Sequence, residues 1–116
     1  MRSDRQRLLD ILDAIHKIEQ YVDRETSFSP FSENELLQVW VIHHLQVIGE
    51  AASRLSEEFR SLHSEVSWGG MIGMRHVLVH GYFDSDTEIV WKVVEKDLPV
   101  LKQQIEDILN TWPPTA

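Results

Sequence analysis

Apolar residues recur along this chain at intervals of three and four, the period of a helix with one buried face, and they almost never alternate as a strand would require. Four helical segments follow from that pattern. The first runs from about Ser3 to Val22, with Leu8, Ile11, Leu12, Ile15, Ile18 and Val22 at helical spacing. It ends in Asp23-Arg24-Glu25-Thr26-Ser27-Phe28-Ser29-Pro30, which reads as a polar loop closed by a proline. The second opens on Ser32-Glu33-Asn34-Glu35, the pattern of a capping box, in which the serine hydroxyl accepts the Glu35 amide and the Glu35 side chain returns to the serine amide. It continues to about Phe59.

The second segment is apolar over more of its circumference than one core needs. Leu36, Val39, Trp40, Ile42, Val47 and Ala51 form one sector, and Leu37, Val41, Leu45, Ile48, Ala52 and Leu55 extend it sideways. Such a helix is buried on two sides, either in a larger monomer core or with one side against a second subunit. After a loop at Ser64-Glu65-Val66, a third helix is expected with Ser67 as its N-cap and Gly81 as the residue that ends it, since glycine takes the left-handed C′ conformation without steric cost. A fourth starts near Ser85-Asp86-Thr87-Glu88 and runs through Val90, Trp91, Val94, Leu98, Leu101, Ile105, Ile108 and Leu109 to Trp112-Pro113-Pro114. Pro99 lacks an amide donor and crowds the carbonyl of Glu95, which predicts a kink there. The fold class is all-α.

At 116 residues the chain is a single domain, 1–116, long enough for a core without disulfide or metal staples, and it has no cysteine for a bridge, a thiolate zinc site or a nucleophile. The start is charged, and no apolar run approaches the roughly 18 residues of a membrane span, so a cytoplasmic protein without membrane contact is expected. The net charge of −8 weighs against long duplex nucleic acid, which proteins grip with basic stripes. Any nucleic-acid chemistry here needs a local positive site, for which Arg75, the Arg2/Arg5/Arg7 cluster and Lys17 are the candidates. The same acidity suits a chain that docks onto a basic partner protein.

Chemistry concentrates in Arg75-His76-Val77-Leu78-Val79-His80-Gly81-Tyr82. On a helix, His76 and His80 stack on one side, Arg75 lies about 140° from His80, and Tyr82 swings back toward Arg75. An arginine near a histidine suits phosphate chemistry, because a guanidinium neutralises charge developing on phosphate oxygens and an imidazole moves protons near neutral pH. A surface arginine beside a helix-capping histidine gives the same spacing. The last turn favours imidazolium at His80, a tendency that burial or Arg75 would oppose. Glu50 sits among Ile48, Gly49, Ala51 and Ala52, where a charge needs a partner or solvent, and Arg75 or His80 could be that partner. A zinc pair at His76 and His80 lacks both the glutamate of the zincin pattern and a third ligand at diagnostic spacing, so no metal and no cofactor are expected. His16, His43, His44 and His63 read as ordinary surface or capped histidines, and Trp40, Trp68, Trp91 and Trp112 as core or interface anchors. Neither a glycine-rich phosphate loop nor a serine nucleophile elbow is present.

Around this motif, Trp68-Gly69-Gly70-Met71-Ile72-Gly73-Met74, Phe83-Asp84-Ser85-Asp86-Thr87-Glu88-Ile89-Val90-Trp91, Asp97-Leu98-Pro99 and, upstream, Ile48-Gly49-Glu50-Ala51-Ala52 together resemble the HEPN superfamily, specifically its HepT-like branch. The resemblance covers nearly the whole chain. It implies a four-to-five-helix up-and-down bundle, a homodimer, and an Arg/His motif that cleaves RNA without metal, matched here by Arg75 and His80. His76 holds the usually polar position after the arginine. The branch extends the motif to a tyrosine, matched by Tyr82, and the resemblance implies a toxin whose partner, an MNT-type nucleotidyltransferase antitoxin, adenylylates that tyrosine. A rival expectation from the same superfamily is a catalytically silent module that binds nucleotide or scaffolds a nucleotidyltransferase.

Overall fold

Three apolar seams, each spaced alternately by three and four residues, meet along the centre of the molecule: Leu8, Ile11, Ile15, Ile18 and Val22; Val41, Leu45, Ile48, Ala52 and Leu55; and Leu98, Leu101, Ile105 and Ile108, all buried. The computed structural model that places them describes residues 2–22, 26–80 and 84–113, without the side chains of Met74, of 76–80 or of 84–86. Among these residues every regular element is helical, in the order α1 (Asp4–Glu19), α2 (Phe28–Ser32), α3 (Glu35–Ser53), α4 (Glu57–Leu62), α5 (Trp68–His80), α6 (Asp84–Lys92), a π-helical turn (Val93–Asp97) and α7 (Leu98–Asn110). This is an all-α bundle, with α3 packed along α1 on one side and α5 on the other, and α7 packed against α1. No helix among the described residues is long and apolar enough to cross a membrane.

Local chemistry sets the boundaries, and several differ from what the sequence pattern predicts. Ser3 caps α1 in a full capping box with Gln6. The predicted loop before the second long helix contains the short helix α2 instead. Its Pro30 is tolerated because the first-turn amides of a helix have no internal acceptor, and Phe31 anchors it, fully buried with its ring 5.3 Å from that of Trp91. The capping box expected at Ser32 does not form. Ser32 ends α2 and donates to the Ser29 carbonyl, while Asn34 caps α3 by accepting the Leu37 amide at 3.0 Å. Nor does the second long helix run to Phe59. Asp4 accepts both the amide and the hydroxyl of Ser56, at 2.9 and 2.7 Å, and Ser56 caps α4 through the Phe59 amide. A serine fixed in that extended conformation cannot continue a helix.

α5 starts directly after Ser67 and ends at His80 as predicted, while Gly81, assigned to stop it, lies outside the described residues. α6 begins at Asp84, so Ser85 lies inside the helix and not at its cap. The kink expected at Pro99 takes the form of the π-helical turn just before it, which widens the backbone where proline removes a donor. The tryptophans are packing anchors: Trp68 and Trp91 are buried, the indole N–H groups of Trp40 and Trp68 donate to the Lys17 and His63 carbonyls, and the Trp112 ring lies 5.9 Å from that of Phe59.

Candidate active site

The site begins at a close approach between two backbones. Gly49 of α3 faces α5 so tightly that a Cβ there would lie 2.9 Å from the Met71 carbonyl oxygen and 2.8 Å from Cγ of Arg75. With no side chain in the way, the arginine crosses onto α3, and its Nη1 donates to Glu50 Oε2 at 2.6 Å and to Ser53 Oγ at 3.0 Å. Glu50 is in turn held by Arg54, whose Nε donates to Oε1 at 2.6 Å. That hydrogen bond, with the positive charges of Arg54, Arg75 and Arg7, holds the Glu50 carboxyl below the usual carboxylate range despite some opposing desolvation. Ser53, the last residue of α3, and Arg54, its C-cap, follow Glu50 by three and four positions, so one helix turn presents all three to the same neighbour.

Arg75 and Glu50 stand at the wall of an open cleft of about 590 Å³ between α1 and α3, which Arg7, Asp10, Asp13 and His43 also line. All three carboxylates of this cleft carry a cation. Arg2 grips Asp10 through two nitrogens at 2.8 and 2.7 Å, Lys17 lies 3.0 Å from Asp13, and Glu50 has Arg54 and Arg75. Arg7 also lines the cleft and pairs with no carboxylate among the described residues. The lining itself holds two arginines, Arg7 and Arg75, beside these three carboxylates, on a chain whose net charge is −8.

Of the residues singled out in the sequence, Arg75 and Glu50 are brought together. The side chains of His76 and His80, and Tyr82 altogether, lie outside the described residues, although the backbone places both histidines on α5 with Arg75. His44 is not the ordinary surface or capped residue expected, whereas His43 is exposed as expected. His43 lines the cleft, and His44 is 6 % exposed, its ring centroid 4.4 Å from that of Trp40 and its Nε2 buried without a partner. Burial, then the neighbouring His43 and Lys17, push its pKa down against a small opposing pull from Asp13. Ser53 and Arg54 were missed as site residues, while Arg7, a candidate in the sequence for a local positive site, does line the cleft. The i+3 and i+4 relation to Glu50 is a signal that could have found the first two. No group of three or more His, Asp or Glu among the described residues is arranged to hold a metal.

A family model described as ribonuclease HepT-like matches residues 11–108. The chain belongs to that family. It is 39% identical over 107 residues to a Thermococcus cleftensis protein named "Probable ribonuclease HepT", covering 92% of this chain and 96% of that one. It is 32% identical over 99 residues to "Putative RNase MJ1380" of Methanocaldococcus jannaschii, covering 85% and 90% of the two chains. A Caldanaerobacter subterraneus protein, "Putative RNase TTE0752", is 38% identical over 84 residues, 72% of this chain and 75% of its own. No solved structure matches. The matched residues run from α1 into α7 and include Asp13, His43, Glu50 and Arg75 of the cleft, while Arg7 and Asp10 precede them.

Proposed function

We propose that this chain is an endoribonuclease, the toxin of a toxin–antitoxin pair, which cuts RNA through Arg75 and His80 and is silenced when a partner nucleotidyltransferase adenylylates Tyr82. The observation that carries the reading is the fixed Arg75 at the wall of an open cleft whose carboxylates are each paired with a cation. Its Nη1 is spent on Glu50 and Ser53, which orients the guanidinium, and among the described residues Nε and Nη2 have no partner and are left for phosphate oxygens. The ribose 2′-oxygen attacks the adjacent phosphorus, the bond to the 5′-oxygen breaks, and the products are a 2′,3′-cyclic phosphate and a 5′-hydroxyl. One imidazole takes the 2′-hydroxyl proton and a second gives one to the leaving oxygen, which His80 supplies from each of two subunits if the cleft lies near a two-fold axis. Arg75 stabilises the charge on the pentacoordinate phosphorus. In silencing, the Tyr82 oxygen attacks the α-phosphorus of ATP and pyrophosphate leaves, so that an anionic nucleotide occupies the RNA path.

The test is growth arrest in cells expressing variants with and without the partner, paired with cleavage by purified protein whose Tyr82 is verified unmodified by mass spectrometry. His80→Ala is expected to fold normally and lose roughly 10²-fold or more in rate, the size of a lost general acid–base contribution, and Tyr82→Phe to cut RNA yet escape the partner. Cleavage by unmodified wild type that stops with chelator and returns with zinc or magnesium would overturn the metal-free mechanism. Absence of any cleavage, with wild type and His80→Ala equally harmless, would leave the scaffold reading standing.

A further inference from the structure

The cleft holds a second guanidinium that the Arg/His motif does not use. Arg7 projects from α1 into the same space as Arg75, its Nε is buried without a hydrogen-bond partner, and it has no ion pair among the described residues. It acts on Glu50 only as a positive charge at longer range. Every other cation at this cleft is committed to a carboxylate: Arg2 to Asp10, Lys17 to Asp13, Arg54 and Arg75 to Glu50. A half-buried guanidinium with spare donors beside a phosphate-binding arginine is arranged for an anion that the protein itself does not supply.

We propose that Arg7 binds an RNA phosphate flanking the scissile one, so that the substrate is a single-stranded segment laid across α1 and α3 through the cleft. This rests on the ribonuclease reading of Arg75 and extends it to the neighbouring nucleotide. Single strand follows from charge. Two arginines, Arg7 and Arg75, line the cleft and the chain as a whole is acidic, which suffices for a few phosphates but not for a duplex presenting one charge per roughly 1.7 Å. Arg7 is a binding residue: its contact is made equally to bound substrate and to the transition state, so its loss weakens binding and leaves the chemical step alone.

The experiment uses the full chain and a fluorescent single-stranded 2′-O-methyl oligoribonucleotide, which lacks the attacking hydroxyl and cannot be cut. Affinity is measured by anisotropy across a salt series, alongside kcat and KM on the matching RNA. Arg7→Ala is expected to bind about tenfold more weakly, to reduce the salt slope by about 0.7, and to raise KM with kcat unchanged. Arg7→Lys restores the slope, which a merely structural loss would not allow, and circular dichroism melts confirm the fold of both variants. An Arg7→Ala slope equal to wild type overturns the proposal while leaving the ribonuclease reading intact, as does a fall in kcat without a change in binding. Wild type that fails to bind the oligonucleotide overturns it outright, and tighter binding of a duplex of the same sequence overturns the single-strand assignment. Wild type that binds but does not cut the RNA defeats the ribonuclease reading alone, and the slope still decides Arg7.

Discussion

His44 and Glu50 couple this molecule's stability to acid in two separate ranges. Both have pKa values lowered in the folded state, His44 chiefly by burial and Glu50 chiefly by the hydrogen bond from Arg54. A depressed folded pKa means that the unfolded chain binds the proton more readily, so stability is full above the unfolded value and is lost as pH falls through the folded one. For His44 the loss begins below its ordinary value of about 6.5, and for Glu50 below about 4.3. Chemical denaturation at pH 7.5 and 5.5 should therefore show wild type weakening over this interval. His44→Phe, which keeps a ring against Trp40, should weaken less over the same interval while retaining the later fall. Equal losses in the two proteins would show that His44 does not carry the effect.

At the scale of the element, the cleft depends on how closely α5 approaches α3. Gly49→Ala places a methyl 2.9 Å from a backbone oxygen that cannot rotate away, in addition to the flexible Arg75 side chain at 2.8 Å. The helices must separate, at a cost of about 1–3 kcal/mol for overpacking, against which the better helix propensity of alanine returns up to about 1 kcal/mol. The expected outcome is a lower melting temperature together with slower RNA cleavage, because Arg75 moves with α5 away from Glu50 and Ser53. A variant that melts above wild type would show that the approach is not tight.

This element also marks the limit of what the sequence discloses. The seams of α1 and α7 are legible because a three-four spacing of Leu and Ile has one helical reading. The pairing of Glu50 with Arg75 is legible because a carboxylate among Ile48, Gly49, Ala51 and Ala52 needs a cation. The shortness of α2 and α4 hides them, since five or six residues hold too little of a period, and a plausible box at Ser32 competes with the cap that forms at Asn34. Arg7 and His43 belong to the cleft only because α1 lies along α3, a long-range contact that no local pattern encodes.

At the scale of the whole molecule, α3 still has an unpaired face. Its seam from Val41 to Leu55 is buried, but Leu36 and Val39, from the other apolar sector seen in the sequence, are 85% and 61% exposed, and Trp40 beside them is covered only in part, by Tyr21 at 5.5 Å among others. That face continues along the helix past His43 to Glu50, so a second copy seated on it would bring two clefts together, as the two-proton cleavage mechanism requires. Leu36→Glu with Val39→Glu should leave the monomer fold unchanged, because neither side chain supports the core, and charges on this face should keep two copies apart. Light scattering is expected to report a homodimer for wild type at micromolar concentration and a monomer for the double variant. RNA cleavage should fall with dimerisation and recover in part at high protein concentration. A wild-type monomer with full activity would show that one subunit suffices, and His80 would then need a second proton-transfer group from its own chain, for which His43 in the cleft is the first residue to replace.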